Sequence, residues 1–489
     1  MSSRCVWTLI VLLAVLEGLA SAQSQQTGDQ GTQSQGTPQT GEDSGTARST
    51  PAPALSGIAG METELGGSDE DAPQIPGFLG GQGNRALLAG ELGRSNYLRG
   101  GVSVSEGYDD NSFLTTTNQV GNATFSVFPN IAIAQSTPRA RWSLEYAGGL
   151  SVNQRLTNQN QGAQSLTFNS LFALSPHVTL HAAESFSMVS GIFGGNAASA
   201  FQPGFAGGNN TLLSPLANQK VSQTVVEANY HFALRDVVGA SGGFLDMRYS
   251  DVASNAANPA ADLTNTQAAS GTVFWLHQVT QRDWAGSSYR FQRITYTPGG
   301  DTRVHTFAFN DTLKISKMFN ISGFVGPEYS DNTGLITTRS GTTQIATSSS
   351  WGVAGGLDVG WESARTSVIA GYSKQVTNGS GILGAVTLQN AYATVRRELF
   401  PRWAIDIMAN YGNNQAITFA LATTASTINT TSVGAMLDRN VGRSLGFQIG
   451  YFHDLQDQLG SAVAAQNYNA DRNRVFVNLS YQWTKALGR

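Results

Sequence analysis

Cysteine is almost missing from this chain. Its single example, Cys5, stands at the extreme N-terminus, so the rest can form no disulfide, hold no thiolate-bound metal and offer no thiol nucleophile. Charge is scarce too: 13% of residues are Asp, Glu, Lys or Arg, where soluble domains carry about 25%. The formal net charge is −4 and no basic run occurs, which argues against nucleic acid as a partner. After residue 16 there is no apolar run long enough to span a bilayer as a helix. A closed barrel needs no such run, because each strand carries its apolar residues on one face only.

Residues 1–22 read as a secretory signal peptide: Arg4, the apolar stretch VWTLIVLLAVL (6–16) and the small-residue site ASA (20–22). Residues 23–94 are rich in Gln, Ser, Thr, Gly and Pro and poor in aromatics, with an acidic cluster at Glu62, Glu64, Asp69, Glu70 and Asp71. Such a segment buries too little apolar surface to offset its ordering entropy, and it reads as a disordered low-complexity tail.

From residue 95 to 489 the texture changes and stays uniform. In RWSLEYAGGLSVN (141–153), Trp142, Leu144, Tyr146, Leu150 and Val152 share one parity, and Arg141, Ser143, Glu145, Ser151 and Asn153 the other. RWAIDIMANYG (402–412), SLGFQIGYF (444–452) and RVFVNLSYQW (474–483) repeat the pattern. Period-two alternation means strands with one apolar and one polar face. Segments of this kind number eighteen, although 177–190 and 384–399 alternate weakly and leave sixteen open. In 302–317, Asp311 falls on the apolar parity of Phe307, Phe309, Leu313 and Ile315, which predicts a bulge there or a wrong register. Short connections (136–139, 175–177, 234–236, 281–283, 400–402, 441–443) alternate with long ones (191–218, 251–264, 332–346, 458–469). The fold class is therefore all-β, a transmembrane antiparallel up-and-down barrel with both ends on the short-turn side. A secreted solenoid or sandwich is the competing fold.

The aromatics support two girdles: Trp142, Trp284, Trp361, Trp403 and Trp483 near short turns, and Tyr249, Tyr329, Tyr372, Tyr411 and Tyr451 towards the long connections. The step from Trp403 to Tyr411 rises roughly 20 Å in a strand tilted by about 40°, close to an apolar band of about 25 Å.

At GVSVSEGYDDN (101–111) and the closing FVNLSYQWTKALGR (476–489) the chain resembles bacterial outer-membrane β-barrel proteins of the β-barrel porin type. Leu479, Tyr481 and Trp483 match the alternating aromatic ending of their last strand, although here TKALGR follows it. The resemblance implies the outer membrane of a diderm bacterium with both barrel ends periplasmic. It also implies contact with outer-membrane lipid and with the barrel-assembly machinery, and a pore; a homo-oligomer stays open.

No enzyme is expected. The histidines His177, His181, His231, His277, His305 and His453 are scattered over different strands, no Ser–His–acid arrangement is legible, and nothing calls for a metal or cofactor. Alternation assigns Arg141, Glu145, Glu227, Lys314, Glu328, Asp358, Asp406, Asp438 and Arg474 to the lumen, where they either line water or pair with one another. The connection 191–218 is long, nearly uncharged and rich in Gly, Ala and Phe. It is expected to fold inward and narrow the pore through Phe193, Phe201 and Phe205. Three functions fit: passive passage of small hydrophilic solutes or saccharides, a polysaccharide export conduit with periplasmic partners, or a plugged structural or adhesive barrel.

Overall fold

A computed structural model describes residues 96–487 apart from 117, 158–159, 191–210, 214–217, 251–262, 298, 338–342, 418–426, 443 and 460–468. The signal-peptide and tail readings, and Phe193, Phe201 and Phe205, lie outside these residues.

Eighteen strands follow one another in chain order. The first six are β1 (Tyr97–Asp109), β2 (Asn122–Ser136), β3 (Ala140–Asn153), β4 (Gln161–Ala173), β5 (Val178–Ser190) and β6 (Asn218–Ala233). Next come β7 (Asp236–Ser250), β8 (Asn265–Thr280), β9 (Asp283–Thr297), β10 (Gly300–Ser316), β11 (Phe319–Thr337) and β12 (Thr343–Glu362). The last six are β13 (Thr366–Gly379), β14 (Leu383–Phe400), β15 (Trp403–Ala416), β16 (Thr427–Val441), β17 (Leu445–Leu459) and β18 (Ala470–Ala486). Each pairs antiparallel with its chain neighbours, and β1 pairs with β18 from Tyr97↔Ala486 to Asp109↔Arg474, which closes the ring. Closure leaves the sheet no outer strand to defend.

The two faces have opposite chemistry. Val475, Val477, Leu479, Tyr481 and Trp483 on β18 are exposed, whereas Arg474, Asn478 and Ser480 of the other parity are buried. The same inversion, apolar outside and mostly polar within, runs through β1, β3, β10 and β15. It is the reverse of a soluble sandwich, whose apolar parity is the buried one.

Three expectations need correction. Residues 332–337 and 343–346 are strand and not loop: β11 and β12 stay paired out to Thr337↔Thr343. The connections do not alternate strictly in length, since β9–β10 and β13–β14, on the long side, turn within residues 298–299 and 380–382. Finally, β10 runs past Asp311 without a bulge, its register shifting only between Lys314 and Ser316. Asp311 stays on the outward face because Thr312↔Trp284 and Leu313↔Asp283 hold the ladder in step near the short-turn end.

Candidate functional site

All nine charged residues assigned to the lumen carry the inward parity of their strands. Several are knitted into ion pairs instead of facing open water. Asp454, fully buried on β17, meets Arg474 at 2.8 Å and Arg472 at 3.1 Å, and Asp109 of β1 lies 4.0 Å from Arg472. The Ser432 hydroxyl also bonds Asp454. On neighbouring strands Arg396 sits 2.9 Å from Asp406 and 3.6 Å from Asp438. Asp358 accepts the Tyr392 hydroxyl at 2.6 Å. Glu145 has Arg99 at 3.9 Å, and buried Glu227 accepts a bond from Asn229 at 2.8 Å. Arg141 and Lys314 are half-buried. Pairing of this density offsets the cost of taking charge away from water.

The inner wall also carries apolar patches that alternation hid. Tyr392, Met408 and Phe452 form one, flanked by Ile369, Met436 and Phe476. Val237, Phe274, Leu276 and Trp284 form a second, and Leu245, Met247, Ala268 and Ile294 a third, with Tyr249 and Tyr296 against it. Two girdle assignments are thereby corrected. Trp284 has the parity of Ser288, Arg290 and Gln292 and is 9% exposed, so it packs inside the barrel. Tyr249 shares the parity of Leu245 and Met247 and also turns inward. Distance from a turn says nothing of parity, and parity decides the face. Trp361, Trp483, Tyr372, Tyr411 and Tyr451 are exposed outward, and Trp142, Trp403 and Tyr329 are half-buried on the outward parity. Trp351, which the girdle reading passed over, is 75% exposed and packs on Tyr329 with ring centroids 5.1 Å apart.

Two segments enter the ring. The first is Thr211–Leu213, from the β5–β6 connection. Thr211 bonds Asn414 of β15, and the backbone N–H of Leu213 donates to the Gln456 side chain of β17 at 2.9 Å. Leu213 packs with Leu114 and Ala470. In an eighteen-strand ring β15 and β17 lie opposite β5 and β6, so Thr211–Leu213 sits across the lumen from the strands on either side of it in the chain. Gly412 makes room for it: a Cβ there would come within 2.7 Å of the Thr211 Cβ and of the Thr430 hydroxyl oxygen. Gly412→Val is therefore expected to expel Thr211–Leu213 from its seat, seen as faster amide exchange at these residues while exchange in β15 and β16 stays slow.

The second is the distal half of the β13–β14 hairpin. The Val376 N–H donates to Glu328 Oε2 of β11 at 3.3 Å, and Arg290 of β9 donates to Gln375 Oε1 at 3.3 Å. At the tip, the Tyr249 hydroxyl of β7 donates to the Ser380 carbonyl at 2.7 Å, and the Thr264 N–H to the Gly381 carbonyl at 2.8 Å. The hairpin therefore lies across the inner faces of β7–β11. Gly381, with φ +80°, fits against Tyr249, where a Cβ would come within 2.4 Å of the ring. Both faces of the hairpin are covered: Val376, Thr377 and Asn378 are buried in succession, as are Ala385 and Val386.

No protein-family model matches this sequence, and no curated protein matches it. Among solved structures, the chain is similar to the ferric citrate transporter FecA in its unliganded form (9% identity, 80% of this chain and 79% of that one, TM-score 0.43). It is also similar to OccK2 (OpdF) of Pseudomonas aeruginosa (8% identity, 79% and 98%, TM-score 0.40) and to OpdQ of the same organism (10%, 80% and 98%, TM-score 0.40). At these scores the likeness carries no functional argument, and the barrel rests on its own closing strand pair.

Proposed function

We propose that this protein is an outer-membrane channel for small hydrophilic solutes, with a lumen narrowed by Thr211–Leu213 and by the β13–β14 hairpin. The carrying observation is the inverted barrel: a ring closed by β1–β18, with apolar residues on the outward parity and charged and amide residues on the inward one. A bilayer outside and a polar path inside account for both faces. On this reading the short turns and both barrel ends are periplasmic, and the outward Leu479, Tyr481 and Trp483 serve the assembly machinery. A second reading, a barrel plugged by its own segments, draws support from the burial of the Asp454–Arg472–Arg474 cluster.

Planar-bilayer conductance separates the two. Refolded residues 23–489 are expected to give stable single-channel steps, and larger ones when 191–218 is replaced by a short Gly/Ser link. Silence from both forms, with the protein shown to be folded, overturns the channel and leaves the plugged barrel.

A further inference from the structure

The ladder between β12 and β13 is the shortest in the ring, running only from Gly355↔Lys374 to Glu362↔Ser367. Towards the long connections the two strands part. Among the described residues, Thr343–Ala354 of β12 pairs with β11 alone, and Gln375–Gly379 of β13 pairs with β14 alone. The cause is the hairpin just described: β13 parts from β12 at Gln375, while β14 stays on β15 as far as Val386↔Ala416, and the tip lies down inside the barrel. Its departure opens a gap in the wall beside β12.

Exposure marks that gap. Elsewhere on β12 the parities differ, but Ser349, Ser350, Trp351, Gly352 and Val353 are all exposed in succession. Ser350 and Gly352 have the inward parity of buried Ala354. Among the described residues, a Cβ built on Gly352 would meet only the Glu328 carbonyl oxygen, at 3.9 Å, so none of them fills the space behind the strand.

The gap reaches below the membrane surface. Trp361 and Trp351, both outward, are ten residues apart on one strand, roughly 25 Å along the barrel axis for a tilt of about 40°. Trp351 ends an aromatic belt that continues through Tyr329 (5.1 Å), His305 (6.3 Å) and Phe291 (5.0 Å). Belts of this kind mark the bilayer interface. The ladder has already ended at Gly355, so among the described residues the backbone edge of Trp351–Ala354 on the β13 side has no strand partner inside the apolar band. Hydrocarbon does not tolerate such backbone unless it borders a cavity, and the space behind Gly352 supplies one.

Behind the gap stand polar groups. Glu328 is 4% and Arg290 8% exposed, and Lys374, the last residue of β13 to pair with β12, stands at the edge of the gap. Two cations against one carboxylate favour an anionic group.

We propose that the β12–β13 gap is a lateral portal between the lumen and the outer half of the bilayer, and that it serves a single-chain amphiphile with an anionic head. The apolar chain lies along Trp351 and Val353, and the head reaches Arg290 and Lys374. The portal rests on the membrane reading above, but extends it to a molecule that a purely aqueous pore would not carry.

The test uses the absence of cysteine from residues 23–489. Fluorophores are attached at Gly352→Cys, Val353→Cys and, as an inward control in a fully paired wall, Gly243→Cys. The protein is refolded into vesicles with acyl-brominated phosphatidylcholine. Labels at positions 352 and 353 are expected to lose comparable fractions of their fluorescence, with the label at 243 unchanged. Quenching at 353 without 352 overturns the portal and leaves the barrel in its membrane. No quenching at 353 overturns the membrane reading and the portal together. In unbrominated vesicles, a brominated long-chain fatty acid is expected to quench position 352 at lower concentration than a brominated alkylammonium. Equal potency overturns the anionic head.

Discussion

Replacing Gln375–Leu388 with an Asn-Gly turn is expected to raise single-channel conductance several-fold. The excision removes the part of the hairpin that has parted from β12, together with the last rungs of β14 on β15 (Val386↔Ala416 to Leu388↔Asn414), and the new turn would join Lys374 to Gln389, which already face each other across the β13–β14 ladder. Asn-Gly suits a two-residue hairpin because both positions take φ above zero without strain. What the lumen loses is a pair of strands lying over the inner faces of β7–β11, held by Glu328, Arg290, Tyr249 and Thr264. Conductance follows the open cross-section, and this hairpin covers nearly a third of the ring's inner circumference. Single-channel recording measures the change, and far-ultraviolet circular dichroism with protease resistance shows that the barrel still forms. An unchanged conductance from a folded variant would move the constriction elsewhere, with the segment at Thr211–Leu213 the remaining obstacle.

The same hairpin shows what alternation could and could not reveal. A strand with lipid on one side and the lumen on the other must alternate, and β3, β15, β17 and β18 were legible for that reason. The upper part of β14, Leu383–Leu388, was not, because it has no lipid face. Ala385 and Val386 are both buried and of opposite parity, so the weak pattern that left sixteen strands open belongs to a strand enclosed on both sides. β5 alternates weakly for a different reason: Glu184 sits on its outward parity, bonded by the Ser222 and Thr224 hydroxyls of β6. The lumen charges were assigned by parity alone, and their parity is as assigned. Which partners they meet was not legible: Asp454 and Arg472, unassigned, face each other across the β17–β18 ladder beside Arg474, and Asp109 of β1 joins them only once the ring closes. The β12–β13 gap had no signal at all in the sequence. GVAGG (352–356) reads as an unremarkable strand until the pairing register leaves Gly352–Ala354 with no partner towards β13 among the described residues.

Asp454→Asn is expected to cost about 3–5 kcal/mol of stability, the penalty for leaving a buried ion pair half-made. Asp454, Asp109, Arg472 and Arg474 together balance, two charges of each sign, with Asp454 0% and both arginine side chains 8% exposed. Losing the Asp454 charge strands two arginines against Asp109 alone, which is 4.0 Å from the nearer one. Urea unfolding in lipid vesicles measures the loss. Adding Arg472→Met restores the balance, so the double variant should be less destabilised than the sum of the single ones, the mark of residues that act as one unit. This coupling also bears on the lumen itself. Were the cluster bathed by a wide aqueous pore, water would screen it and the pair would be worth no more than about 0–1 kcal/mol, as exposed pairs are. A loss of several kcal/mol with strong coupling therefore says that this side of the barrel is packed.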